Sequence, residues 1–335
     1  MKAAFFYAPF DIRIEETDKP NLGKDDVLIR VKSASICGTD VQIFKGEPLD
    51  NTPIVLGHDF SGIIEALGTE VQNLSAGCRV SVQPVGYCGK CHYCLNGHQN
   101  LCREGQWIGF ERNGGFSEYA SLKEQNVLHL PDSISFDEAA IIEPVALGLR
   151  TLDILRPHIE AVVAIIGQGP IGLVQTQMFK LVGANVIGID IDNERLQLAK
   201  KFGANNILNP ARSSSTRSDV FDLTSGEGAN VVVEASGTQA GIDLASEIVM
   251  AGGKIAQVGH GRNLRGPLIS LEKELTIQYV ELGPLEYRRA LKLVEECKVD
   301  VKSLITQRIT LEDVPEYFSR IANSKITAVK VIVRP

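Results

Sequence analysis

The chain has 335 residues, 44% of them hydrophobic, enough for one large or two ordinary domains with a buried core. Its 34 Lys and Arg against 41 Asp and Glu leave a formal net charge of -7 with no basic block, which argues against nucleic acid or a membrane surface as partner and favours small molecules. The amino terminus meets Asp11 before any long apolar run forms and no later segment offers about 18 uncharged apolar residues, so a cytoplasmic protein is expected.

Between Val27 and about Ile142 the pattern predicts short strands broken by Gly and Pro, at Val27–Val31, Gly62–Ala66, Arg79–Val82 and Phe116–Ala120. Cys37 stands at the end of an alternating strand, in Ile36-Cys37-Gly38-Thr39-Asp40, and 21 residues later comes Gly57-His58-Asp59-Phe60-Ser61-Gly62. Cys88, Cys91, Cys94 and Cys102 follow, spaced C-x2-C-x2-C-x7-C in a stretch rich in Gly, Asn and His. Thiolates at this spacing can close a tetrahedral shell around Zn2+ with no open position, which predicts a structural zinc that folds the loop and does no chemistry. Disulfides are the competing reading. The remaining two cysteines, Cys78 and Cys297, are read as small buried hydrophobes.

Glu143, in Ile141-Ile142-Glu143-Pro144, interrupts an apolar stretch, and a carboxylate there needs a partner. Cys37, His58 and a carboxylate, with water in the fourth position, would make a catalytic zinc shell that is open where the four-cysteine shell is closed. Spacing alone also admits a buried neutral Cys37, a core His58 bonded to backbone and a Glu143 that caps the following helix.

From about Ala161 to Val280 apolar strands alternate with helical segments, which predicts a parallel sheet wrapped by helices and places a domain boundary before it. Strand Val162–Ile166 runs into Gly167-Gln168-Gly169-Pro170-Ile171-Gly172, a G-x-G-x-x-G that opens a helix reaching Leu181. Gly167 permits the tight turn, Gly169 lets a pyrophosphate approach the backbone at the helix amino terminus, and Gly172 lets helix and strand pack closely. The next strand, Asn185–Ile189, ends at Asp190, 18 residues after Gly172, where an acid holds the adenosine ribose hydroxyls of a dinucleotide. A 2'-phosphate beside Asp190 would meet like charge, so NAD is expected over NADP. Arg195 is read either as reaching the adenosine end or as part of a solvated helix face. Strands at Ala229–Glu234 and Lys254–Gly259 complete the sheet, with Val258 and Gly259 at its cofactor edge, and Ala211–Ser218 reads as a mobile surface loop. The tail, with a helix at Tyr287–Lys298 and a strand at Ala328–Val333, carries no glycine-rich signal and is read as rejoining the first domain.

The chain resembles the zinc-dependent medium-chain alcohol dehydrogenases over nearly its whole length. Gly57-His58-Asp59-x2-Gly62-x5-Gly68-x2-Val71 is similar to that family's zinc signature, and the four-cysteine lobe and the dinucleotide fingerprint follow it in order. Glu143-Pro144 is similar to the polyol, threonine and butanediol dehydrogenase branch, where the glutamate binds the metal or its water. The resemblance implies an α/β fold of two domains, a GroES-like β-rich catalytic domain over residues 1–146 and 286–335 and a Rossmann doubly wound parallel sheet over 147–285. It implies two zinc ions, a catalytic one held by Cys37, His58 and Glu143, with Asp59 ranked below Glu143 as a ligand, and a structural one on the four cysteines. Zinc would act as Lewis acid while hydride passes from a secondary alcohol to C4 of NAD. Thr39 would carry the proton away and Asp40 would orient His58.

Departures bear on the substrate. Asp59 replaces the family's usual Glu, Gln42 stands where many relatives place a proton-relaying His, and Ile43 and Leu282-Gly283 replace a Tyr and an Arg-Tyr pair of sorbitol dehydrogenases. Phe44, Trp107 and Phe110 are candidate pocket residues. The expectation is a homo-oligomeric, dimeric or tetrameric, NAD-dependent enzyme for a small polyol, sugar alcohol, cyclitol or diol. The rival readings are an L-threonine 3-dehydrogenase and a non-catalytic dinucleotide-binding relative.

Overall fold

The run Val162-Val163-Ala164-Ile165-Ile166 offers no polar side chain to either face, and such a strand is stable only where both faces are covered. In the computed structural model, which describes residues 1–261, 264–266, 271–323 and 328–335, it is a central strand of a parallel sheet. Packing divides the chain into two units, Met1–Ala146 with Leu282–Pro335, and Leu147–Glu281.

The first unit begins with the antiparallel pair β1 (Lys2–Ala8) and β2 (Asp11–Glu16), followed by β3 (Asp26–Ile36), α1 (Gly38–Phe44), β4 (Ile54–Val55), β5 (Asp59–Leu67) and β6 (Arg79–Val82). After the short helix α2 (His92–Leu95) come β7 (Tyr119–Lys123), β8 (Val127–His129), α3 (Phe136–Ala139) and α4 (Ile142–Leu155), within which the chain passes to the second unit. That unit contains β9 (Val162–Ile166), α5 (Pro170–Leu181), β10 (Asn185–Ile189), α6 (Asn193–Lys201), β11 (Asn206–Leu208), α7 (Thr216–Leu223), β12 (Ala229–Glu234), α8 (Gln239–Ile248), β13 (Val249–Gln257) and β14 (Thr276–Tyr279). The return segment adds α9 (Tyr287–Glu295), β15 (Ile305–Thr310), α10 (Val314–Ala322) and β16 (Lys330–Arg334) to the first unit.

The six strands of the second unit are all parallel and lie in the order β11-β10-β9-β12-β13-β14, the doubly wound arrangement whose strand order reverses between β9 and β12. The main sheet of the first unit runs β15-β16-β3-β5-β6-β8, with β7 also on β3, while β2-β1-β4 form a small separate sheet. Its core gathers Phe6, Phe44, Phe60, Phe116 and Phe318 with the inward residues of β3, β5 and β6. Among the described residues no helix is long and apolar enough to cross a membrane.

Several expectations need correction. Phe44 belongs to this core: it is 1% exposed and its ring sits 5.4 Å from those of Phe10 and Phe318, because α1 turns its apolar side inward. Cys297 is exposed, since α9 ends at Glu295 and the chain turns at Cys297 with φ of 53°. Cys78 is half-buried against the core. Ala211–Ser218 is only partly loop, for Ser215 accepts the Ser218 N–H and caps α7, a use of serine that a count of loop-forming residues hides. The strand expected from Phe116 starts at Tyr119.

Asp137 on α3 fastens the return strands. Its carboxylate accepts from Ser33 Oγ on β3, from Arg308 Nε on β15 at 2.8 Å and from Arg334 Nη2 on β16 at 2.7 Å. Burial pushes its pKa up, but Arg334, Ser33 and Arg308 outweigh that and hold it below the ordinary aspartate value. A carboxyl depressed in the folded state contributes stability that is present above the unfolded pKa and lost as pH falls through the folded one. Asp137→Asn is therefore expected to cost about 1–2 kcal/mol at neutral pH, since both guanidinium groups are half-exposed. Urea titrations should show that difference shrinking below about pH 4.

Candidate metal centres and dinucleotide site

β3 and β5 are antiparallel neighbours with Ser35 opposite Asp59, so the residues just past the end of β3 and just before the start of β5 emerge at one edge. Cys37 and His58 are those residues. The sulfur of Cys37, a ring nitrogen of His58 and a carboxylate oxygen of Asp59 all lie within 4.8 Å of one another. Asp40 braces the pair: its Oδ2 accepts the Cys37 N–H at 2.8 Å and its Oδ1 lies 3.4 Å from His58 Nδ1, long for a hydrogen bond. Nε2 is the ring nitrogen on the Asp59 side, 3.9 Å from Oδ2.

Burial pulls the His58 pKa down, but Asp59, Asp40 and Cys37 outweigh it and push it well above the ordinary value. A buried pocket that favours a proton this strongly is one that favours a cation, and three donors leave room for a further ligand. The Phe110 ring packs on His58 at 5.1 Å with Trp107 6.5 Å beyond it, so these two rings lie against the histidine. Thr39 Oγ1 is 3.9 Å from Cys37 Sγ. Glu143 is half-buried in the first turn of α4, outside the converging set of three, and its charge acts on Tyr287 and Lys330.

Two residues that the sequence reading missed belong here. Lys330 is 2% exposed and its Nζ donates to Ser35 Oγ at 2.8 Å, Asp59 Oδ2 at 3.2 Å and the Ile36 carbonyl at 3.4 Å. Burial lowers its pKa, but Asp59, Cys37 and Glu143 raise it further, so the ammonium stays charged beside the carboxylate. Tyr287 is fully buried and, among the described residues, its hydroxyl has no hydrogen-bond partner. Burial first, then Glu143, Asp59 and Cys37, push its pKa well above the usual value.

In the second cluster the sulfurs of Cys88, Cys91, Cys94 and Cys102 all lie within 4.8 Å of one another. The separations Cys91–Cys94, Cys91–Cys102 and Cys88–Cys94 are 3.5, 3.9 and 4.0 Å. A tetrahedron with Zn–S bonds of about 2.3 Å has edges of about 3.8 Å, whereas a disulfide needs about 2.05 Å, and all four cysteines are free. The donor set fits zinc and not a pair of disulfides.

At the second unit's turn, Gly167 has φ of 88° and a Cβ on Gly172 would stand 1.8 Å from the Gly167 carbonyl oxygen, so glycine is required at both. Gly169 faces open space, the nearest atom to a Cβ there being Arg195 Nη1 at 4.0 Å. Gly169 caps α5, and Pro170 and Ile171 form its first turn, leaving backbone N–H groups for an anion. Asp190 stands at the end of β10, where its Oδ2 accepts the Gln168 N–H at 2.6 Å and its Oδ1 the Asp192 N–H at 2.8 Å. Arg195 leans over the turn with its Nε buried and 3.9 Å from Asp192 Oδ2, too long for a hydrogen bond, a cation next to the space a pyrophosphate would fill. Val258 and Gly259 follow β13, both donating to the Glu234 carbonyl at 2.9 Å.

A family model described as the alcohol dehydrogenase GroES-like domain matches residues 23–132, and one described as zinc-binding dehydrogenase matches residues 170–296. The sorbitol dehydrogenase of Bacillus subtilis is 32% identical over 100% of this chain and 97% of its own length. The crystal structure of galactitol-1-phosphate dehydrogenase from Escherichia coli superposes with a TM-score of 0.90 at 31% identity over 100% of both chains. A protein described as a zinc-binding dehydrogenase from Sinorhizobium meliloti 1021, solved bound to NADP, superposes at 0.93 with 30% identity over 100% of this chain and 99% of its own. The fold and the donor sets define a two-domain α/β oxidoreductase with a GroES-like unit and a Rossmann-type sheet. The chain belongs to the zinc-dependent alcohol dehydrogenase family.

Metal analysis of the purified protein is expected to find one zinc for each of the two donor sets. Cys94→Ser should lose the one that folds the lobe, with a lowered thermal midpoint. Cys37→Ser should lose the other with little change in midpoint.

Proposed function

We propose that this protein is a zinc-dependent polyol dehydrogenase that moves hydride between a secondary hydroxyl of a small polar alcohol and a nicotinamide dinucleotide, with NAD preferred. The observation that carries the reading is the convergence of Cys37, His58 and Asp59 within 4.8 Å on a scaffold that also holds a glycine-rich turn ending near an acid. The sorbitol and galactitol-1-phosphate dehydrogenases it resembles are both named for polyols, which supports that substrate class over L-threonine.

Cys37 and His58 would hold the catalytic zinc with Glu143 or Asp59 as the acid, and Cys88, Cys91, Cys94 and Cys102 the structural one. When bound, the catalytic zinc supplies Lewis acidity that lowers the pKa of a substrate hydroxyl, and the dinucleotide supplies the hydride acceptor. The chain's own residues do the rest. Asp40 stands on the Nδ1 side of the His58 ring, with Nε2 on the Asp59 side, and Lys330 holds Asp59 Oδ2. Thr39 takes the proton of the substrate hydroxyl at Oγ1. Gln42 cannot ionise at neutral pH, so the proton leaves through water. Phe110 and Trp107 exclude water from one side of His58.

Asp190 keeps NAD ahead of NADP, because its carboxylate stands where a 2'-phosphate would bring like charge. Gly167, Gly169, Pro170, Ile171 and Gly172 take the pyrophosphate, with Arg195 beside it, and Val258 and Gly259 bind the dinucleotide from the β12–β14 half of the sheet. The same reading gives a cytoplasmic homo-oligomer, dimer or tetramer.

The test is NADH formation at alkaline pH by zinc-replete protein across sugar alcohols, cyclitols, diols and L-threonine. Turnover of at least one polyol is expected, lost in Cys37→Ser; activity on L-threonine alone would overturn the substrate class. Asp190→Gly should raise the NADP to NAD ratio of kcat/KM by about tenfold or more, and an unchanged ratio would remove Asp190 from the ribose.

A further inference from the structure

The strand order reverses between β9 and β12, and a doubly wound sheet takes its dinucleotide outside the carboxyl ends of the strands at that point. The last residue of β12 is Glu234, opposite Ile166 of β9. It is 0% exposed and, among the described residues, has no cationic partner. Its carboxylate is held by uncharged donors: Oε1 accepts the Ser236 N–H at 2.8 Å, the Ser236 hydroxyl and the Gly237 N–H at 3.2 Å. Oε2 accepts Gln257 Nε2 at 2.7 Å and a second, longer approach of the Gly237 N–H at 3.3 Å. Gln257 Nε2 also donates to the Gly259 carbonyl at 2.9 Å, so its amide is fixed between two acceptors.

One side chain thus fastens both segments that leave the sheet on this half, the Ser236-Gly237 turn after β12 and the Val258-Gly259 segment after β13. The turn also shapes the fingerprint, since a Cβ on Gly167 would stand 2.7 Å from the Ser236 nitrogen. A buried carboxylate without a cation is expensive, and each strand end has backbone acceptors enough to close a turn without one. The charge is explained if the shape it enforces is needed for a ligand. We propose that Glu234 is a positioning residue for the cofactor, holding the Ser236-Gly237 turn and the Val258-Gly259 segment in the form that receives the nicotinamide half of the dinucleotide. The assignment to that half follows from the sheet, whose β9–β11 half takes one mononucleotide and whose β12–β14 half takes the other. It rests on the dinucleotide reading given above.

The experiment measures the Kd of NADH and of ADP, which probes the adenosine side, for the zinc-replete wild type, Glu234→Gln and the exchange variant Glu234→Gln/Gln257→Glu. In Glu234→Gln an amide nitrogen faces Gln257 Nε2 or the backbone donors, and the exchange returns a carboxylate to the same pair. NADH binding is expected to weaken about tenfold in Glu234→Gln with ADP binding within about twofold of wild type, and the exchange should recover most of the loss. NADH affinity unchanged in Glu234→Gln, or an equal loss for NADH and ADP as a general loosening of the unit would give, overturns the proposal. If Glu234→Gln does not fold, Ser236→Ala removes one donor alone and is expected to weaken NADH about threefold with ADP unchanged; no change in NADH would overturn the proposal. Wild-type protein that binds neither NADH nor NADPH overturns the dinucleotide reading itself.

Discussion

The antiparallel pairing of β3 with β5 is the constraint on which the metal site depends. Ser35 opposite Asp59 sets a register in which Cys37 and His58 leave the sheet at one edge. A slip of one residue would turn every side chain of one strand to the other face and separate the donors. The register is itself secured from both sides, by β16 along β3 and by β6 along β5. Lys330 adds a charged fastening across three strands, from β16 to Ser35 on β3 and Asp59 on β5. The site is therefore built on sheet geometry, and the loops around it, such as 107–110, supply walls rather than position.

The two donor sets divide the work that metal sites can do. The four cysteines close on themselves, and their sulfur separations leave no direction from which a substrate could enter. The Cys37 set has three converging donors, which leaves a position open, and Lys330 sets a positive charge against its carboxylate. With Asp59 as a zinc ligand, the ammonium beside it would limit how much negative charge the metal receives and so preserve its acidity toward a hydroxyl.

Much of this was legible in the sequence, where the code is local. Apolar runs bounded by turns gave β9, β10 and β12 to the residue, and the spacing of four cysteines or of three glycines needs nothing from the rest of the chain. What was hidden is whatever depends on partners distant in the chain. Lys330 reads as an ordinary strand lysine until Asp59 is placed beside it, and Glu234 reads as a strand terminus until the turn after β12 and the Gln257 amide close around it. Cys297 failed for the opposite reason, a local one: the helix pattern was extended past its true end. The pair β1 and β2, in a stretch with no expected elements, is stabilised by long-range contacts such as the Ala4 N–H to the Phe116 carbonyl.

The first unit is discontinuous, and β16 reaches β3 only after the chain has passed through the whole second unit. Lys330 lies 271 residues beyond Asp59. A chain emerging from the ribosome amino-terminus first exposes Cys37, His58 and Asp59 long before the cation that balances them is made, whereas the six-stranded unit has all of its own strands in hand earlier. The topology thus lets the six-stranded unit close during synthesis, whereas the Cys37, His58 and Asp59 set cannot be complete with its Lys330 until the last strand has been made.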